Sequence, residues 1–219
     1  MSLELRSVNR LLVDENGAPA RYWIPAYQRG YRWNQQQVKQ LLDDVWDFIQ
    51  TGEGEFYCLQ PLVVKQWDDG RFEVVDGQQR LTTIYVLLVL DRLKAIVEMA
   101  RKQPFTIEYE TRDGSFLKNI DCIRADENID FHYICEARQA IEDWLHSRDG
   151  SHALKLMQHL LADDEADRNV RVIWYELVLV HKLRFQSALS FADSARFAVG
   201  GCRGSVFSLI QRGFAGFSG

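Results

Sequence analysis

The sequence predicts a mixed α/β (α+β) domain: a small mixed sheet with helices packed around it, followed by a helical extension. Three observations carry that expectation. Phe72–Asp76 is an apolar strand that stops at Gly77 and leads directly into a long apolar helix. Asp68-Asp69-Gly70 is a tight-turn signal between two strand-like runs, Leu62–Trp67 and Arg71–Asp76. Val38, Leu41, Leu42, Val45 and Ile49 recur at helical spacing behind Asn34, a good N-cap residue. With 47% apolar and 26% charged residues over 219 positions, the chain is of ordinary globular composition and long enough for one good core.

Taken in order, Ser7–Val13 is a short helix or an extended entry, ended by the turn Asp14-Glu15-Asn16-Gly17. Arg21–Ile24 is a short strand stopped by Pro25. The helix capped by Asn34 ends at Gly52, where a left-handed residue closes it. Phe56–Leu59 and Leu62–Trp67 are strands, and Arg71–Asp76 returns as the hairpin partner. The helix after Gly77 is expected to run to about Lys102, with Pro104 just beyond. Thr106–Glu110 alternates as a strand, and Asp113–Ile120 is a short helix. Asp130 caps a longer helix whose stripe is Ile134, Ala137, Ile141, Trp144 and Leu145. Gly150 separates it from a helix over Ser151–Leu161, and Asn169–Leu179 is a last apolar run with strand character. The domain plan is a core at 1–104, a mainly helical extension of the same domain at 105–178, and an atypical tail at 179–219. Six of the 14 glycines fall in the last 20 residues, so the tail reads as a flexible or frame-shifted ending.

Composition excludes several classes. A net charge of −5 argues against a general nucleic-acid coat. Between Asn16 and Leu42, however, Arg21, Arg29, Arg32 and Lys39 occur without any Asp or Glu, which offers a positive face to an anion. Cys58, Cys122, Cys135 and Cys202 show no paired spacing, and the five histidines lack ligand spacing, so no metal site is expected. There is no signal pattern, and the apolar run Ile84–Leu90 is too short to cross a bilayer, which points to a cytoplasmic protein without membrane contact. The Gly-x-x-x-x-Gly-Lys-Ser/Thr loop of ordinary P-loop enzymes is missing.

Chemistry concentrates in two polar clusters set against apolar scaffolding. One is Ile24-Pro25-Ala26-Tyr27-Gln28-Arg29-Gly30-Tyr31-Arg32-Trp33; the other is Asp76-Gly77-Gln78-Gln79-Arg80. A strand, a glycine and a helix start together suit phosphate, because the first helical N–H groups lack internal partners and the helix dipole is positive there. Gly77 permits a sharp bend and a close ligand approach, and Arg80 can fork onto phosphate oxygens. Competing readings stand beside this one. Asp76-Gly77 alone also fits a hairpin turn, Arg29 could pair with Asp43 or Asp44, and Arg32 reads as a surface residue. Trp33 and Trp46 fit the core, and Asn128–His132 fits a helix cap, with His132 as a catalytic base the lesser reading.

The two clusters resemble the N-terminal domain of GmrSD-type modification-dependent restriction enzymes. Ile24, Pro25, Tyr27, Gln28, Arg29, Tyr31 and Trp33 match one family stretch, and Asp76–Thr83 matches a second in full. Asn128-Ile129-Asp130-Phe131-His132 and Trp174-Tyr175-Glu176 add later matches, so the likeness spans roughly Leu11 to Leu177. It implies a ParB-like (sulfiredoxin-like) fold and a nucleoside-triphosphate site, with Mg²⁺ accompanying the nucleotide. In that picture Asp76 and Gln79 are catalytic, orienting the metal or the attacking water. Gln28, Arg29, Gly77, Gln78, Arg80 and Thr82 hold the nucleotide and its phosphates, while Tyr27 and Tyr31 stack on a base. Implied partners are modified DNA or a nuclease subunit, with a homo-oligomer also open. Two departures qualify the likeness. The family's Phe-x-Arg-Leu-Asn and Leu-Thr-x-x-Glu-Leu segments do not follow Val178, and no HNH-like nuclease site is present. The chain is therefore expected to be a truncated family member that does not cut DNA by itself. It is either a nucleoside triphosphatase module or a non-catalytic sensor, with an inactive remnant as the remaining reading.

Overall fold

The structure, a computed structural model, describes residues 2–112 and 129–177. The short helix expected at Asp113–Ile120 and the tail at 179–219 lie outside the described residues. Residues Met1–Leu179 form one compact unit, and every described strand and helix belongs to it.

Among the described residues six strands make one mixed sheet in the order β1-β6-β3-β4-β2-β5. They are β1 (Ser2–Ser7), β2 (Arg21–Ile24), β3 (Phe56–Gln66), β4 (Phe72–Asp76), β5 (Thr106–Tyr109) and β6 (Asn169–Glu176). Among the described residues five helices accompany them: α1 (Gln35–Thr51), α2 (Gln78–Val89), α3 (Asp91–Met99), α4 (Ile129–His146) and α5 (Gly150–Leu160). The fold class is thus mixed α/β. Because β5 and β6 both follow residue 104, the 1–104 and 105–178 segments share one sheet. β4, β2 and β5 are mutually parallel, so Asp76, Ile24 and Tyr109 end on one edge of the sheet. Open α/β sheets take ligands at such carboxyl ends.

Local signals explain several elements. Asn34 caps α1 through a reciprocal box: Gln37 N donates to Asn34 Oδ1 at 3.1 Å, and Asn34 N donates to Gln37 Oε1 at 3.1 Å. Gly52 closes the helix at φ +66°, the left-handed conformation expected of a C-terminal glycine. The β3–β4 hairpin turns at Gly70, with φ +79°. The core is one cluster. Around Tyr22, the rings of Phe72 and Phe105 lie 5.8 and 5.1 Å away, and Tyr22 Oη donates to Leu11 O at 3.0 Å.

Within Ser7–Val13 a short 3₁₀ helix occupies Asn9–Leu12 after β1 ends at Ser7, as the helical reading of that stretch expected. The structure corrects three expectations. The two strands expected at Phe56–Leu59 and Leu62–Trp67 are one, β3, with its register shifted between Leu59 and Leu62. The single helix expected up to Lys102 is two, α2 and α3, broken at Leu90, whose ψ of 127° is extended. No glycine or proline marks that break. Leu90 and Leu93 are both buried, so packing rather than local propensity sets the kink. Lastly, the cations of the 16–42 segment do not form one face. Arg21 opens β2 and donates to Asp69 O at the hairpin, whereas Arg29 and Arg32 follow the other end of that strand.

Candidate functional site

The loop 25–34 leaves β2 and lies against the first turn of α2, and both contain the predicted residues. Gln78, Gln79, Thr83 and Tyr31 stitch loop to helix, and Gln28 ties the loop to β4. Gln28 Nε2 donates to Val75 O on β4. Gln78 Nε2 donates to Arg29 O. Gln79 Nε2 donates to Gly30 O at 3.1 Å, and its Oε1 accepts from Arg32 N at 2.8 Å and Trp33 N at 3.2 Å. Thr83 Oγ1 donates to Gln79 O at 2.9 Å, so the 2.8 Å bond between Tyr31 Oη and Thr83 Oγ1 takes the tyrosine's proton. The two sequence motifs therefore form one framework at the carboxyl ends of β4 and β2.

That framework reassigns several residues. Gln79 is 8% exposed and spends its amide at both ends on main chain, which removes it from positioning water. Tyr31 is fully buried, so it presents no face to a base. Thr82 is also buried, 2.8 Å from Tyr109 Oη, and so is closed to a phosphate. Gly77 has φ +94°, as the sharp corner required, but its close neighbour is protein. A Cβ there would meet Leu62 Cδ1 at 2.9 Å and Pro61 O at 3.0 Å, at the irregularity of β3. Arg80 reaches the same place, donating to Gln60 Oε1 at 2.6 Å and Pro61 O at 2.6 Å. Since β4 lies between β3 and β2, Arg80 turns to one flank of the α2 start and the Arg29 loop occupies the other.

Other candidates remain accessible. The Arg29 side chain is exposed and makes no ion pair among the described residues; Asp43 instead takes Trp144 Nε1 at 2.7 Å and Arg148 at 2.9 Å. Gln78 is 4% exposed, and with its Nε2 committed to Arg29 O its Oε1 is a buried acceptor with no partner. Asp76 is half-buried at the end of β4. No side chain caps the α2 N-terminus. Tyr27 is 62% exposed, and its hydroxyl donates to Glu73 Oε1 at 2.9 Å. Partial burial, then the bond to Glu73 and its charge, hold that phenol above the ordinary tyrosine range. Among the described residues no group of three or more His, Cys, Asp or Glu is placed to hold a metal by protein alone. A hollow of about 390 Å³ on α1, lined by Gln35, Gln36, Lys39, Gln40 and Asp43, includes none of the predicted site residues.

Sequence reasoning missed the charged centre of this region. Arg32 is not a free surface residue: it pairs with Asp130, and Arg112 takes the other carboxylate oxygen. Asp130 is not a cap. It lies inside the first turn of α4, buried against Gly30. His132 is half-exposed beside Glu136 at 3.8 Å.

A mixed α/β domain with two motifs interlocked at the ends of parallel strands is the class that fold and site define. The chain belongs to the family described as the GmrSD restriction endonuclease, N-terminal domain, whose model matches residues 8–186. That membership places it in the context of restriction systems. No curated protein matches the chain. Among the described residues no helix is long and apolar enough to cross a membrane.

Proposed function

We propose that this chain is the nucleotide-binding regulatory module of a restriction system, taking a nucleoside triphosphate where β4 and β2 end. The observation that carries the reading is the interlock of loop 25–34 with α2. It makes a rigid frame at the edge where such sheets take ligands, beside an exposed Arg29 and an unpaired buried Gln78 Oε1. Arg29 engages phosphate oxygens, assisted by the dipole of α2. Gln78 Oε1 accepts from an N–H or O–H of the nucleotide, which relieves a buried acceptor. Tyr27, exposed and tethered through Glu73, supplies a ring for the base.

Mg²⁺ suits the residues present, since it is commonly held by one or two carboxylates plus substrate phosphates, and Asp76 would be the carboxylate. Bound there, it would offset phosphate charge. Asp76 also orients the attacking water, and the frame keeps Arg29 aimed as charge develops. Nucleotide state then gates a nuclease activity carried elsewhere, on modified DNA.

A second reading, a sensor that binds without turnover, is favoured by the commitment of Gln79 to main chain, which leaves Asp76 alone to handle water. Phosphate release and calorimetry with the nucleoside triphosphates separate the two. Under the first reading, Asp76→Ala lowers release by about 10²-fold or more with affinity retained, and Arg29→Ala weakens binding about tenfold. Tight binding without release establishes the sensor. Absence of binding to every nucleotide removes both.

A further inference from the structure

Asp130 is 1% exposed, and each of its oxygens receives a guanidinium: Oδ1 from Arg32 Nη1 and Oδ2 from Arg112 Nη2. Each guanidinium is also held by a main-chain carbonyl. Arg32 Nη1 donates to Tyr31 O at 2.7 Å, and Arg112 Nη1 donates to Thr111 O at 2.9 Å. The loop closes on this hub without a side chain in between, because a Cβ on Gly30 would sit 2.6 Å from Asp130 Oδ2. The Arg32 main chain is fixed as well, by Gln79 Oε1. The guanidinium of Arg32 lies 5.6 Å from the centre of the Tyr133 ring.

Three features do not fit an ion pair that merely staples α4 to the loop. Among the described residues two cations share this carboxylate, so the pair of guanidinium groups is not matched charge for charge by it. Both arginine side chains are also partly open to water, at 29% and 31% exposed. In addition, donors are left over. Arg32 spends only Nη1, while Arg112 spends one bond each from Nη1 and Nη2 and keeps a second hydrogen on both, its Nε being buried without a partner. A guanidinium held in place with donors still free, as Arg32 is through Nη1 alone, is pre-organised for an incoming anion.

We propose that Arg32 and Arg112 form a clamp for phosphoryl oxygens, with Asp130 as the positioning residue that holds both. The ligand class is a polyphosphate, the tail of the nucleotide, so the inference rests on the nucleotide reading above. Arg29 lies three residues before Arg32 in the same immobilised loop. The first motif thereby contributes two arginines to the anion, and the turn after β5 contributes the third.

The test uses the full chain and inorganic tripolyphosphate as probe, with affinity from calorimetry and thermal midpoint measured in parallel. Arg32→Lys and Arg112→Lys keep the charge but lose the planar fork, and each is expected to weaken binding about tenfold with little change in midpoint. Asp130→Asn gives a diagnostic sign. Charge alone would tighten anion binding when a carboxylate is removed, whereas loss of positioning weakens it, and weakening is expected. Should Asp130→Asn fail to fold, the two lysine variants decide. The clamp is overturned if wild type does not bind tripolyphosphate, if both lysine variants bind as wild type does, or if Asp130→Asn binds more tightly. Tripolyphosphate binding without nucleotide turnover would remove hydrolysis and leave the clamp. Unchanged nucleotide turnover in both lysine variants would remove the clamp and leave the function.

Discussion

Gln79 and Asp130 both hold the loop that follows β2, and they do so with different chemistry. Gln79 is neutral and buried, with three main-chain partners on two amide atoms. Asp130 is charged and receives two arginines whose side chains stay partly exposed. An amide matches main chain without a large desolvation cost, so it suits a joint that must not move. A buried carboxylate is costly unless paired, and pairing it twice leaves guanidinium edges available for something else. Position in a motif therefore does not separate scaffold from binding surface in this molecule. Exposure does: Gln79 is buried, whereas Arg32 and Arg112 reach water.

Breaking the neutral joint should have the largest effect on stability. Gln79→Ala strands two N–H groups and one carbonyl, at about 1–3 kcal/mol each before water relieves part of it. Urea unfolding should show a loss of about 3 kcal/mol, and a loss below about 1 kcal/mol would mean the loop is held by other contacts. Gly30→Ala comes next, because the new methyl displaces the Asp130 carboxylate; the expected loss is about 1–2 kcal/mol by the same measurement. Arg112→Lys should cost about 1 kcal/mol or less, since the side chain is 31% exposed, and still weaken tripolyphosphate binding. A stability loss as large as that of Gln79→Ala would make Asp130 a scaffold too and erase the contrast.

The smallest effect lies outside both joints. Burial pushes the Cys58 thiol up to about 11, from 9.0. Between those values the unfolded chain has lost a proton that the folded chain retains, so this contribution declines as pH rises from 9 toward 11. At pH 7.5 its alkylation in the native protein should be about 100-fold slower than that of a free thiol, with the rate recovering in urea. Equal rates in the two states would show Cys58 to be exposed.

Much of the frame was legible in the sequence because its signals are local. Asn34 and Gly52 bound α1 as their chemistry requires, and Gly70 turns the hairpin. The strand–glycine–helix run at Phe72–Thr83 is present, and both motifs meet. What escaped depends on partners distant in sequence. Polar residues opening an apolar helix suggest a ligand, but Gln78 and Gln79 meet carbonyls 49 positions away. Arg32 and Asp130 are 98 positions apart, so neither periodicity nor spacing relates them. An Asp just ahead of an apolar helical stripe has a sufficient local explanation as a helix cap, and that reading hid the hub. The break at Leu90 was invisible for a similar reason, since burial rather than a glycine or proline imposes it.

The most direct test is a calorimetric titration of the chain with a nucleoside triphosphate, run with and without tripolyphosphate at saturation. The account predicts nucleotide binding that tripolyphosphate suppresses competitively, because both anions take the arginines at the carboxyl ends of β4, β2 and β5. No heat with any nucleotide, or nucleotide affinity unchanged by tripolyphosphate, would contradict it.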